Sequence, residues 1–143
     1  MVGAVLVARD HHHSGHLAAT GRAALGVGLL HPGADAASRR WPAGRFAAVA
    51  RALRRDGRTV VVTAGADERR LAEEVAQLAG LPSSSVLGGL GDLPFPVLAA
   101  LVADARAVVC GDTGTARVAS ALATLPSPEA SSRKGGLCTP VRP

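Results

Sequence analysis

Aromatic residues are scarce in this chain of 143 residues, which has one tryptophan, two phenylalanines and no tyrosine. Proteins that bind single-stranded nucleic acid stack the bases on aromatic rings, so this scarcity argues against a nucleic-acid partner in spite of the net charge of +5. We expect the few rings, Trp41, Phe46 and Phe95, to pack in the core or against loops.

Cysteines and long apolar runs are scarce as well. Cys110 and Cys138 are the two cysteines, and the first lies in an apolar run, so we expect no disulfide framework and a reducing compartment. No apolar run approaches the length of a membrane span. The apolar patch at residues 2–8 has no basic residue before it, so we expect no signal peptide and a cytoplasmic location.

Histidines cluster near the start of the chain without a pattern that would organise a metal site. His11, His12, His13 and His16 lack the accompanying cysteines or second-shell carboxylates that close such a site. We therefore predict no metal and no cofactor, and we interpret residues 1–22 as a poorly defined N-terminal segment.

From residue 23 to residue 124, apolar runs alternate with amphipathic stretches. The runs predict buried strands at residues 23–30, 58–64, 83–87 and 107–110, with a short strand at 2–8. The stretches predict helices at residues 43–56, 67–79, from about 94, and 115–124, the second with Leu71, Val75 and Leu78 facing inward. This alternation predicts an α/β fold, a Rossmann-like doubly wound parallel sheet with ligands at the carboxyl ends of its strands.

The connection HPGADAASRRWP, between the first of these strands and its helix, contains the residues of a phosphate loop. Gly33 permits a tight turn and close approach of a ligand, and Ser38 offers a hydroxyl. Arg39 and Arg40 can form charge-assisted bonds to phosphate oxygens. An ordinary strand-to-helix connection with solvated arginines is the alternative at this point.

Two further strand-to-helix turns carry polar residues. Asp67 is expected to be the N-cap of the second helix and Glu68 to lie in its first turn, and capping alone would explain both. Asp112, Thr113 and Gly114 follow the last strand. The backbone N–H groups of Thr113 and Gly114, at a helix N-terminus, predict an anion site.

Three segments, taken in order, carry a resemblance that covers residues 23–124: HPGADAASRRWPAGRF, VVVTAGADERRLAEEVA and LAALVADARAVVCGDTGTARVASAL. They resemble the C-terminal domain of the family 9 glycosyltransferases, the ADP-heptose:lipopolysaccharide heptosyltransferases and their relatives. The resemblance implies a GT-B architecture, in which the N-terminal half holds the acceptor and the C-terminal half holds the nucleotide-sugar donor.

The resemblance also implies roles for individual residues. Arg39 matches the cationic position before the Trp-Pro pair that binds the donor pyrophosphate, and Ser38 lies beside it. Glu68 falls at or next to the family's acid for the nucleoside ribose, with Asp67 as the alternative alignment.

A second group of residues matches the family's loop for the donor phosphates and sugar, namely Asp112, Thr113 and Gly114. Arg117 stands where many members have a histidine. A cation at this position keeps an attraction for phosphate in place of a titratable donor.

Two parts of the family pattern are missing from this sequence. The acceptor-binding half is absent, and with it the position of the general base, so we predict no catalytic residue in the chain. Residues 125–143 have no strand period and are rich in proline, serine and glycine, which predicts a disordered tail. We therefore expect a truncated chain, its sheet incomplete at the C-terminal end, that transfers no sugar by itself.

The predicted ligand is a nucleotide-diphosphate sugar such as ADP-heptose. The predicted acceptor, held by the missing half, is a glycan or lipid-linked molecule of lipopolysaccharide core biosynthesis. A non-catalytic nucleotide-binding remnant is one alternative. An unrelated doubly wound domain that binds another phosphate ligand is the other.

Overall fold

A computed structural model describes residues 4–8, 26–91, 93–111, 113–124 and 138–141. Side chains are described for residues 26–91, 93–111 and 113–122. Within these residues lie six strands, which are β1 (Ala4–Ala8), β2 (Val27–His31), β3 (Thr59–Ala64), β4 (Val86–Gly88), β5 (Ala105–Cys110) and β6 (Cys138–Val141).

The strands form one sheet in the order β4-β3-β2-β5-β1-β6. The first four in this order run parallel, whereas β1 is antiparallel to β5 and β6 is antiparallel to β1. From β2 the chain proceeds outward to β3 and β4, and it then returns to place β5 on the other side of β2. The order of the parallel strands therefore reverses between β2 and β5, which is where doubly wound sheets open a crevice for ligands.

Four α-helices of the described residues cover the two faces of this sheet: α1 (Ala43–Arg55), α2 (Arg69–Ala79), α3 (Phe95–Asp104) and α4 (Gly114–Thr124). Successive strand residues point to opposite faces, so Leu30 packs with Phe46 of α1 and Val75 of α2. Its neighbour Leu29 packs with Val102 of α3 on the other face. Two separate apolar clusters result, and the prediction of a doubly wound α/β fold is confirmed.

Arginines fix α1 against the end of α2. Arg51 donates to the carbonyl oxygen of Leu78 at 2.7 Å, and Arg54 donates to the carbonyl oxygens of Ala79 and Gly80, both at 3.0 Å. The last carbonyls of a helix have no intrahelical partner, so these bonds satisfy groups that would otherwise need water.

The side chains of two residues lie where the sequence did not place them. Leu78 was expected to face inward but is 49% exposed, because Ala76 and Ala79 fill the interface and let α2 approach the sheet closely. Phe95 was expected to pack in the core or against a loop but is 64% exposed.

The strand predicted at residues 83–87 is shorter in the structure, because Ser83–Ser85 forms a turn of 3₁₀ helix before β4.

A strand occurs in the tail that was predicted to be disordered. Cys138–Val141 forms β6, and the expectation is wrong for these four residues. Residues 125–137 and the histidines near the start lie outside the described residues. In the part of the chain that the structure describes, no helix combines the length and the apolar character that crossing a membrane requires.

Candidate functional site

A cleft of about 480 Å³ opens at the carboxyl ends of β2, β3 and β5. This volume lies within the usual range for small-molecule sites, roughly 300 to 1,000 Å³. Polar residues line one part of the cleft, namely His31, Asp35, Thr63, Glu68, Thr113 and Thr115. Leu93, Phe95, Leu98 and Val118 form an apolar wall.

Glu68 is the central charged group of the cleft. One carboxylate oxygen, Oε2, accepts a hydrogen bond from the backbone N–H of Gly65 at 3.1 Å. The other, Oε1, accepts one from Nη2 of Arg40 at 3.4 Å. The side chain is only 15% exposed, so both bonds hold the carboxylate at a fixed place between the loops that follow β2 and β3.

The N-terminus of α2 differs from its prediction. Glu68 precedes the helix, and its side chain reaches back to Gly65 instead of forward to the first turn. Asp67, the predicted N-cap, is exposed and has a φ of 61°, in the left-handed region. The carboxylate that enters the cleft is therefore that of Glu68 and not that of Asp67.

Gly33 is required by the position of this carboxylate. A Cβ atom at residue 33 would overlap the carboxylate group of Glu68. The sequence predicts that this glycine permits the close approach of a ligand. In the structure the closely approaching group is a side chain of the protein itself.

His31 lies beside Glu68 at the end of β2. Its Nδ1 is 3.0 Å from Oγ1 of Thr63, and its Nε2 is 3.9 Å from Oε2 of Glu68. Burial lowers the pKa of His31 below its ordinary value, while the Glu68 charge and a backbone contact with Thr63 oppose this shift. The neutral imidazole is thus the favoured form in the fold.

The opposite side of the cleft is the N-terminus of α4. The carbonyl of Thr113 accepts hydrogen bonds from the N–H groups of Ala116 and Arg117, so Thr113 is the N-cap of α4. The N–H groups of Gly114 and Thr115 in the first turn have no intrahelical acceptor. Among the described residues, the buried hydroxyl of Thr113 has no hydrogen-bond partner. Together these groups suit an anion.

The comparisons with known proteins identify the family of the chain. The model of glycosyltransferase family 9 (heptosyltransferase) matches residues 7–125. The chain belongs to glycosyltransferase family 9. This membership sets aside the alternative of an unrelated doubly wound domain.

A solved structure of a heptosyltransferase resembles this family 9 chain. The match is to E. coli ADP-heptose lps heptosyltransferase II, with a TM-score of 0.59 and 26% sequence identity. It covers 71% of this chain and 31% of that one, so the chain spans about a third of the length of its structural relative. No curated protein sequence matches the chain.

The predicted site residues of this family 9 chain fall into two groups. Glu68, Thr113 and Gly114 line the cleft. Ser38, Arg39 and Arg117 are exposed and do not line it. Asp112 lies outside the described residues.

The two adjacent arginines of the phosphate loop have different environments. Arg40 donates through Nε to the carbonyl oxygen of Ala34 at 3.1 Å as well as to Glu68. The side chain of Arg39 is exposed, and its carbonyl oxygen would lie 3.6 Å from a Cβ at Gly111. The loop of Arg39 thus packs against the end of β5. Of the two arginines, Arg40 is hydrogen-bonded to Glu68 and Arg39 is not.

Sequence reasoning missed His31 and Thr63 as cleft residues. Both lie at the carboxyl ends of parallel strands, the position that predicts ligand contact in this fold class. His31 opens the phosphate-loop segment itself, so its position was a usable signal.

We expect Gly33→Ala to destabilise the fold by about 1 to 3 kcal/mol, the usual cost of overpacking a filled site. The added methyl group would force the Glu68 carboxylate away from Gly65 and Arg40. Urea denaturation gives the free energy of unfolding. Gly44→Ala is the matched control, because a Cβ on Gly44 meets nothing within 4 Å, and it should stabilise α1 by up to about 1 kcal/mol. Equal stability of the Gly33 variant and wild type would show that Glu68 is not held in place.

Stability should also fall as the pH is lowered through the pKa of His31. The lowered pKa means that the unfolded chain takes up a proton that the folded chain resists. The free energy of unfolding is therefore not reduced by His31 above about pH 6.5. Below that pH it decreases, by at most about 1.4 kcal/mol per pH unit for one proton. Denaturation between pH 7.5 and 5.5 should show a smaller slope in His31→Asn. An unchanged slope would assign the pH dependence to other groups.

Proposed function

We propose that the chain binds a nucleotide-diphosphate sugar, ADP-heptose or a related donor, in the cleft between β2 and β5. The observation that carries this proposal is that one cleft holds both a fixed carboxylate, Glu68, and the N-terminus of α4. A carboxylate can accept hydrogen bonds from the hydroxyl groups of a ligand, and a helix N-terminus can bind its phosphates. Membership of family 9 supports the same ligand class.

The phosphates are assigned to the side of α4. The N–H groups of its first turn, which no intrahelical carbonyl accepts, and the Thr113 hydroxyl are hydrogen-bond donors, and the helix dipole adds positive charge. The backbone of Arg39 lies beside Gly111 at this side, and we assign its exposed guanidinium to the phosphates as a full positive charge. Gly114 leaves open space, since a Cβ there meets nothing within 4 Å.

The nucleoside is assigned to the side of β3. Glu68 can accept hydrogen bonds from ribose hydroxyl groups, because each of its oxygens keeps a second lone pair beyond the bonds it already accepts. Leu93, Phe95 and Leu98 offer an apolar wall for a base. Contact with a base would also bury the exposed Phe95 ring.

Transfer of the sugar to a glycan or lipid-linked acceptor is proposed as a joint action of this cleft and an acceptor-binding part of a GT-B enzyme. Such transfer needs a general base within hydrogen-bond reach of the acceptor hydroxyl and a second wall that excludes water. We assign both to the acceptor side and only donor binding to the cleft. The proposed setting is lipopolysaccharide core biosynthesis, on the strength of the family resemblance.

We expect Arg39→Ala to weaken ADP binding by about 1 to 3 kcal/mol, the range for a bond to a charged group. Isothermal titration calorimetry of the full chain measures this affinity. Arg55→Ala removes an exposed arginine from the far end of α1 and should leave the affinity unchanged. Equal losses in the two variants would reduce the role of Arg39 to that of general positive charge.

Gly114→Val should abolish ADP binding while the fold persists. The branched side chain would occupy the space above the first turn of α4, and no described atom lies within 4 Å of its Cβ to be displaced. The same change in the first turn of α1, Gly44→Val, is the control, and both variants should unfold within about 0.5 kcal/mol of one another. Normal ADP affinity in the Gly114 variant would mean that this turn only starts a helix.

A further inference from the structure

A chain of hydrogen bonds runs from the main chain of β2 to the ring of His31. The Thr63 hydroxyl donates to the carbonyl oxygen of Leu30 at 3.3 Å. The same hydroxyl oxygen lies 3.0 Å from Nδ1 of His31. Thr63 is 1% exposed, so no competing contact with bulk water is open to its hydroxyl.

This chain of hydrogen bonds favours one tautomer of the imidazole. A hydroxyl has one proton, and if Thr63 gives it to Leu30, the contact with His31 is a hydrogen bond only when Nδ1 is the donor. Both contacts are therefore satisfied together by the neutral ring that carries its proton on Nδ1. Nε2 of that ring is an acceptor with a free lone pair.

The free lone pair faces the cleft beside a second acceptor. Nε2 of His31 and Oε2 of Glu68 are 3.9 Å apart, too far for a hydrogen bond and with no proton between them in this tautomer. The two side chains are 13% and 15% exposed, so each is positioned by the protein and reachable from the cleft. Two adjacent acceptors match a ligand that presents two adjacent hydroxyl donors.

We propose that Nε2 of His31 and the carboxylate of Glu68 form a paired acceptor for a vicinal diol of the bound nucleotide sugar. The inference rests on the proposed function, and it makes His31 a second ligand-binding residue beside Glu68. Each hydroxyl of the diol donates to one of the two acceptors. The diol belongs either to the ribose of the nucleotide or to the sugar attached to its phosphate.

The tautomer can be tested without any ligand. Long-range ¹H–¹⁵N correlation spectra of the full chain at pH 7.5 distinguish a protonated from an unprotonated ring nitrogen. We expect His31 to be protonated at Nδ1 and unprotonated at Nε2, and His31→Asn assigns the signal by removing it. A proton on Nε2 would overturn the proposal, because that nitrogen could then accept nothing.

Ligand discrimination tests the paired acceptor itself. Wild type should bind ADP about three- to tenfold more tightly than the 2′-deoxy or 3′-deoxy analogue whose missing hydroxyl faces His31. His31→Asn keeps an N–H donor for Thr63 but lacks the Nε2 acceptor. It should weaken ADP binding by a similar factor and bind ADP and that analogue within about twofold of one another.

Two control variants guard against a merely structural effect. His31→Gln offers an amide oxygen near the Nε2 position and should restore part of the discrimination between ADP and the analogue. Asp67→Asn is an isosteric change of an exposed carboxylate that does not line the cleft, and it should leave that discrimination as in wild type. Loss of discrimination in all three variants would attribute it to general disturbance of the cleft and overturn the proposal.

A further ligand separates the two sources of the diol. If His31→Asn weakens binding of ADP-heptose and not of ADP, the diol is that of the transferred sugar and the paired acceptor stands. If the variant binds both ligands like wild type, the role of His31 is refuted while donor binding stands. If wild type binds neither ligand, the proposed function fails and the paired acceptor fails with it.

Discussion

The Glu68 carboxylate is the interaction on which the rest of the cleft depends. It accepts hydrogen bonds from Gly65 after β3 and from Arg40 after β2, so it ties together the loops that leave two neighbouring strands. Gly33 has no side chain in the space that the carboxylate fills. Because the Glu68 side chain is only 15% exposed, leaving its charge without these partners would cost folding free energy. The hydrogen bonds to Glu68 therefore fix the positions of both loops.

The same network gives the two adjacent arginines different functions. Arg40 bonds both to Glu68 and to the carbonyl oxygen of Ala34. The guanidinium of Arg40 is thus committed to the loop, whereas Arg39, at the end of the 3₁₀ turn Ala37–Arg39, has an exposed side chain. A charge held inside the protein fixes a loop, whereas an exposed one can still meet a phosphate.

Much of the fold could be predicted from the sequence because its signals are local. Apolar runs and helical spacing indicate which segments become β2, β3, β5 and the helices, and the alternation of strands with helices predicts parallel pairing. Leu78 shows where such reasoning fails. Of the predicted inward stripe of α2, Val75 is buried and Leu71 packs against the core, but Leu78 is exposed and the neighbouring Ala76 and Ala79 are buried instead.

The site was predictable only in outline. Loops at the carboxyl ends of strands could be named in advance, so Thr113, Gly114 and Glu68 were among the expected residues, and they line one cleft. Which of Asp67 and Glu68 enters that cleft, and which of Arg39 and Arg40 is held by an acid, depends on side-chain direction over three or four residues. Such directions are set by contacts between loops that are distant in sequence, and periodicity carries no information on them.

The arrangement of charge in the cleft imposes a direction on any ligand that fits it. Acceptors, His31 and Glu68, lie at the ends of β2 and β3, while the donors of the α4 N-terminus lie at the end of β5. The carboxylate of Glu68 disfavours a phosphate beside it, whereas the N-terminus of α4 favours one, so the α4 side suits an anionic group better. Hydroxyl groups have the opposite preference, because beside Glu68 they donate to a fixed carboxylate. Under the proposed function, this arrangement of charge therefore orients a ligand whose hydroxyl groups and phosphates lie at opposite ends.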